Sequence, residues 1–109
     1  MSFSFHPKAE EEFNQAIDYY EDIEPGLDYD FALEVHSTIK RSVEFPKAWA
    51  VLEGDVRRSL VRRFPFGILY SEEKDGIFVV AVMSLHRRRG YWRKRKLESA
   101  EQGGQLGRS

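Results

Sequence analysis

The chain has 109 residues and a net charge of −1, with 32% of its residues charged and 14% aromatic. That length suits a single domain with one core, and eight Phe, five Tyr and two Trp argue against a disordered chain. The absence of cysteine excludes disulfides, thiolate catalysis and a cysteine-based metal site.

Phe3-Ser4-Phe5 alternates over a short span and predicts an opening edge strand. Pro7 suits the first position of a helix, where its missing N–H is not needed, and Glu10, Glu11 and Glu12 follow where the helix dipole favours negative charge. Ala9, Phe13, Ala16, Ile17 and Tyr20 share one helical face, which predicts an amphipathic helix over 7–22. Glu24-Pro25-Gly26 breaks it and allows a tight reversal. Phe31, Val35, Ile39 and Val43 recur every four residues and predict a second helix over 27–44. Two helices joined by so short a turn form a hairpin whose apolar stripe needs a sheet to cover. Pro46 ends the second helix, and 46–55 reads as a loop pinned by Trp49 and Leu52.

Three strand-like runs follow. The first, 56–64, alternates aliphatic residues with Arg57, Arg58, Arg62 and Arg63; Phe64-Pro65-Phe66-Gly67 turns the chain into the second, 67–72. Asp75-Gly76 signals a hairpin into the third, 77–85, which is apolar and β-branched enough to be covered on both faces. An antiparallel meander is expected to bring Val56 and His86 to the same end of the sheet. Residues 93–97 can make one helical turn, whereas 98–109 lack apolar periodicity and read as a flexible tail to a domain spanning 1–97. The longest apolar run, 77–83, is too short to span a bilayer, and residues 1–6 have neither the basic nor the apolar region of a signal peptide. A cytoplasmic protein without a membrane partner is expected.

The near-zero net charge hides a division. Residues 1–55 carry 4 Lys/Arg against 13 Asp/Glu, while 56–109 carry 13 Lys/Arg against 5 Asp/Glu. Either the halves attract each other within the fold, or the second half faces a polyanion. His6, His36 and His86 are too scattered to imply a metal, and no phosphate loop or nucleophile motif is present. The local cluster His86-Arg87-Arg88-Arg89-Gly90-Tyr91-Trp92-Arg93 points to phosphate and unpaired bases: Arg57, Arg58, Arg62, Arg88, Arg89 and Arg93 as phosphate contacts, Trp92 as a stacking surface. RNA cleavage without a metal or other cofactor needs an acid, a base and cations. His86 can serve as acid or base, Arg87 and Arg63 can stabilise charge, and Tyr91 can position a base or donate a proton.

A short strand, a helical hairpin, then R-R-F-P-F-G-I-L-Y, a D-G turn, I-F-V-V-A-V and H-R-R-R-G-Y-W together resemble the RelE/ParE toxin superfamily over about residues 3–96. The resemblance implies an α+β fold, with the helical hairpin packed on a largely antiparallel four-stranded sheet and the first strand beside the apolar one. It also implies the toxin of a type II toxin–antitoxin module, held by a cognate antitoxin. RelE-like members cleave mRNA on the ribosome with sheet cations, an arginine after the last strand and a tyrosine near the C-terminus. Arg87 matches that arginine, Tyr91 matches the tyrosine more loosely, and Arg57 or Arg63 stands for the sheet cations. No lysine occurs between Val56 and Glu73, where RelE-like sites often carry one. ParE-like members instead inhibit DNA gyrase without a catalytic set. Endoribonuclease, gyrase inhibitor and inactive antitoxin-binding relative are the readings left open.

Overall fold

A computed structural model describes residues 2–96. In chain order it contains β1 (Ser2–Phe5), α1 (Pro7–Ile23), α2 (Leu27–Glu44), β2 (Val51–Glu53), β3 (Val56–Leu60), β4 (Phe66–Glu73) and β5 (Gly76–Ser84). The expected tail, 98–109, and the domain boundary at Leu97 lie outside the described residues.

Local chemistry sets the helix ends. His6 caps α1, its Nδ1 accepting the Lys8 N–H at 3.0 Å, and Pro7 and Glu10 occupy the first turn. Gly26, at φ +94°, supplies the left-handed step that sends the chain back into α2. The helix ends at Phe45, directly before Pro46. The apolar stripes read from spacing are the buried ones: Ala9, Phe13, Ala16 and Tyr20 on α1, and Phe31, Val35 and Ile39 on α2.

The sheet has five strands in the order β1-β5-β4-β3-β2 and is mixed, which corrects the four-stranded, largely antiparallel expectation. The additional strand is β2, inside the segment expected to be a loop; its three residues are all exposed and form a strand only through pairing with β3. β1 lies beside β5 as expected, and the pair is parallel, from Ser2–Gly76 to Phe5–Val79. At Gly76 a Cβ would collide with the Ser2 carbonyl, so this close pairing requires glycine. The other neighbours are antiparallel.

The register overturns the expectation that Val56 and His86 share an end. Val56 faces Ser71, which faces Phe78 near the start of β5, whereas Leu60 faces Gly67, which faces Met83 near its end. Strands one and three of a meander run the same way, so the start of one and the end of the other are far apart. β3 also stops at Leu60, short of the expected run to Phe64; Arg63 turns at φ +72°, and Val61 N–H bonds the Phe66 carbonyl at 2.9 Å.

Both faces of the sheet are covered. Ile68, Tyr70, Ile77, Val79 and Val82 pack under the helices. Val56, Leu69, Val80, Ala81 and Met83 pack on the other face beneath Trp92, with Tyr91 and Phe78 partly buried against them. Tyr70 faces Val79 and Leu69 faces Ala81, so Val80 is an extra residue that bulges β5 and shifts its alternation. The segment after β5 therefore returns over the sheet as a lid for the second face. No helix among the described residues is long and apolar enough to cross a membrane.

Candidate functional site

Beneath that returning segment lies a cleft of about 620 Å³. Leu52, Leu60, Met83, Leu85 and Trp92 give it apolar surface, while Arg58, Arg87, Arg89 and Arg93 bring four guanidinium groups to it. Strand alternation explains Arg58: it faces Leu69, on the lid side, whereas Arg57 faces Tyr70, on the helix side. Arg57 is used structurally there, its Nη1 donating to the Trp49 carbonyl at 2.6 Å, while the Tyr70 hydroxyl donates to the Pro46 carbonyl at 2.7 Å. These two bonds, rather than Trp49 and Leu52, hold the connection between α2 and β2.

The sequence candidates thus separate. Arg58, Arg87, Arg89, Trp92 and Arg93 line the cleft. Trp92 is only 4% exposed, so it serves as apolar wall and core more than as an open stacking platform. Arg63 points to the start of α2, 3.6 Å from Asp30, with its guanidinium 5.5 Å from the Phe64 ring, and Arg62 is exposed on the same turn. His86 and Arg88 are exposed and lie outside the cleft lining; the His86 N–H donates to Ser84 Oγ at 3.3 Å.

Tyr91 belongs to a cluster that sequence reasoning missed. β1 stops pairing with β5 at Val79, which leaves the end of β5 without a strand on that side. Glu12 and Arg95 cap it instead: Glu12 Oε1 accepts the Val82 N–H at 3.1 Å, and Arg95 Nη1 donates to the Val80 carbonyl at 3.2 Å. The same arginine donates to both Glu12 oxygens, at 2.8 and 3.1 Å, and the Tyr91 hydroxyl donates to Glu12 Oε2 at 2.7 Å. Burial and then this hydrogen bond push the Tyr91 phenol far above the ordinary tyrosine range, so it stays protonated. Burial alone would lower the Arg95 pKa, but the bonds to Glu12 more than offset it. Arg87 lies over the Tyr91 ring at 4.0 Å.

The division of charge between the halves is realised partly inside the fold. The ion pairs among the described residues join second-half cations to first-half carboxylates: Arg63–Asp30, Arg87–Glu12, Arg93–Glu53, Arg95–Glu12 and Lys96–Asp55. Arg58 and Arg89 make no side-chain hydrogen bond or ion pair among the described residues, so at the cleft the positive charge is only partly answered.

At the cleft rim, Arg93 grips Glu53 with two hydrogen bonds of 2.7 Å. Gly90 makes room for that guanidinium, since a Cβ there would lie 2.6 Å from Arg93 Cζ. The Arg93 hydrogen bond holds the Glu53 carboxyl below its ordinary range. A depressed carboxyl stabilises the fold above its unfolded pKa and loses that contribution as pH falls through the folded one. Melting curves of wild type and Glu53→Gln should therefore differ most at neutral pH and low salt, and converge once pH drops below the carboxylate range. A difference that persists in acid would show that the pair is not what distinguishes them. Both groups are well exposed, so the effect is small and salt-sensitive.

No protein-family model and no curated protein sequence matches the chain. Among solved structures it is similar to a chain described as the chromosomal ParDE TA system from P. aeruginosa, with a TM-score of 0.66 and 19% sequence identity. The match covers 77% of this chain and 95% of that one. The fold is the α+β architecture of the RelE/ParE superfamily, a helical hairpin on a mixed five-stranded sheet.

Proposed function

We propose that this chain is the toxin of a type II toxin–antitoxin module and that it acts by gripping its target in the arginine-rimmed cleft, without cutting it. The reading starts from the fold likeness to a ParDE system and rests on one observation, the composition of the cleft. Four arginines and an apolar floor suit a large anionic or acidic partner surface. Cutting RNA also requires groups that take and give protons at the reacting atoms. Among the described lining residues there is no His, Tyr or Lys, and the one carboxylate, Glu53, is held by Arg93. Tyr91 spends its proton on Glu12, and His86 stands outside the lining. This supports the ParE-like alternative, with DNA gyrase as the target that the resemblance implies, over ribosome-dependent mRNA cleavage. The contact of Arg87 with Tyr91 favours the rival reading, because both belong to the RelE-like set.

Induction in cells tests both levels. Expression should arrest growth, and co-expression of a small protein from an adjoining reading frame should relieve the arrest by forming a stable complex. Plasmid supercoiling should fall while mRNA stays uncut by primer extension. Growth arrest indifferent to any neighbouring product would remove the toxin–antitoxin assignment. Cut mRNA with normal supercoiling would instead establish the enzyme.

A further inference from the structure

The residue that fixes the arginine-bearing segment over the cleft is a carboxylate on the opposite side of the sheet. Residues 85–90 belong to no strand; their backbone bonds are local or to a turn, Leu85 N–H to the Pro65 carbonyl at 2.9 Å and Arg87 N–H to Ser84 at 3.0 Å. What ties the segment to the body of the fold is Glu12, whose side chain is 13% exposed. A carboxylate offers about four acceptor positions. Here four hydrogen bonds use them, from Val82 N–H, Tyr91 O–H and both terminal nitrogens of Arg95. Arg87 adds a fifth, longer contact at 3.9 Å, while its guanidinium stacks on Tyr91. Tyr91 is thus clamped by Glu12 at its hydroxyl and by Arg87 and Arg95 at its ring, at 4.0 and 4.9 Å.

We infer that Glu12 is a positioning residue: its carboxylate sets where Arg87 and Tyr91 stand at the cleft, and the toxin's grip on its target depends on it. The inference rests on the reading of the cleft as the working surface. Glu12 touches no cleft lining itself except Arg87, so its effect would pass through Tyr91, Arg95 and Arg87. A glutamine in its place keeps the shape and can still accept from Val82, but it turns an NH2 toward the guanidinium and phenol donors.

The test uses the full chain. In Glu12→Gln, amide hydrogen exchange at Arg87 and Tyr91 should quicken about tenfold or more, as loss of charged hydrogen bonds implies, while Val35 and Ile39 keep wild-type rates. The inducer level needed for growth arrest should rise by a similar factor. Ile39→Val, which trims the core under α2, serves as a control of reduced stability and should change neither readout selectively. Wild-type exchange at Arg87 and Tyr91 in Glu12→Gln would overturn the inference. So would uniform loosening of all amides, as in the control, or local loosening with growth arrest intact. If wild type itself fails to arrest growth, the proposed function falls, and the exchange data alone decide whether Glu12 positions the segment. Should the glutamine variant not fold, Glu12→Asp keeps the charge, shortens the reach, and is judged by the same local exchange and arrest.

Discussion

Replacing Phe31 with alanine should lower the melting temperature by about 15 °C or more. Phe31 is 0% exposed and stands among four other rings: Tyr20 at 4.9 Å, Phe66 at 5.0 Å, Phe64 at 5.2 Å and Phe13 at 6.1 Å. These come from α1, from β4 and from the turn before it, so the ring is where the helical hairpin meets the sheet. Truncating a buried Phe costs about 3–5 kcal/mol, because the transfer free energy is lost and the cavity left behind closes only partly. Each kcal/mol shifts the midpoint by about 4–8 °C in a domain of this size. Since domains are stable by only about 5–15 kcal/mol, the variant sits near the edge of folding. Calorimetry checks the result, with Tyr29→Ala as a control: Tyr29 is two residues away but exposed, and its loss should change stability by no more than about 0.5 kcal/mol. A small shift for Phe31→Ala would mean that the hairpin and sheet are not joined through this cluster.

Phe31 was visible in the sequence, and so was most of what surrounds it. Helical periodicity needs only one buried face, and the two helices carry that signal along 17 and 18 residues. Their predicted and observed ends differ by one residue at most, because proline and glycine punctuate them. β2 was not visible for the opposite reason. Val51, Leu52 and Glu53 are all exposed, so no alternation marks them; only hydrogen bonding to β3 makes them a strand. The resemblance to the RelE/ParE superfamily carried the architecture further than periodicity did, although strand number and the parallel pairing of β1 had to come from the coordinates.

The site was less legible. Counting arginines found the cleft's cations but could not separate Arg57 from Arg58, since adjacent residues on a strand face opposite ways and the face is set by register. Glu12 was assigned to the helix dipole along with Glu10 and Glu11. One signal could have singled it out: it lies three residues after Ala9 and four before Ala16, inside the apolar stripe. A carboxylate there has to find a partner, and Arg95, four residues beyond Tyr91 on the closing helical turn, is that partner. The partner pair is separated by 83 positions, which no local pattern can reveal.

The cleft and the exposed histidine can be tested against each other. Arg58→Glu combined with Arg89→Glu should abolish growth arrest, whereas His86→Ala should leave it close to wild type. Arg58 and Arg89 line the cleft without an ion pair among the described residues, so reversing their charge should disturb the fold little. Arginines at the centre of an interface often cost about 2–4 kcal/mol on truncation. At about 1.4 kcal/mol per tenfold, two such losses with reversed charge exceed about 10²-fold in affinity. His86 is exposed beyond the end of β5 and outside the lining, so a binding mechanism makes no demand on its imidazole. A nuclease mechanism demands it, and removing a proton-transfer group would then slow cleavage by about 10²–10⁴-fold. The three proteins should be compared for growth arrest, for plasmid supercoiling and for mRNA cleavage by primer extension, with circular dichroism to confirm that each is folded. If His86→Ala alone relieves the arrest and stops cleavage, the acid–base set stands and the cleft is an active site. If only the arginine pair matters, the toxin works by holding on.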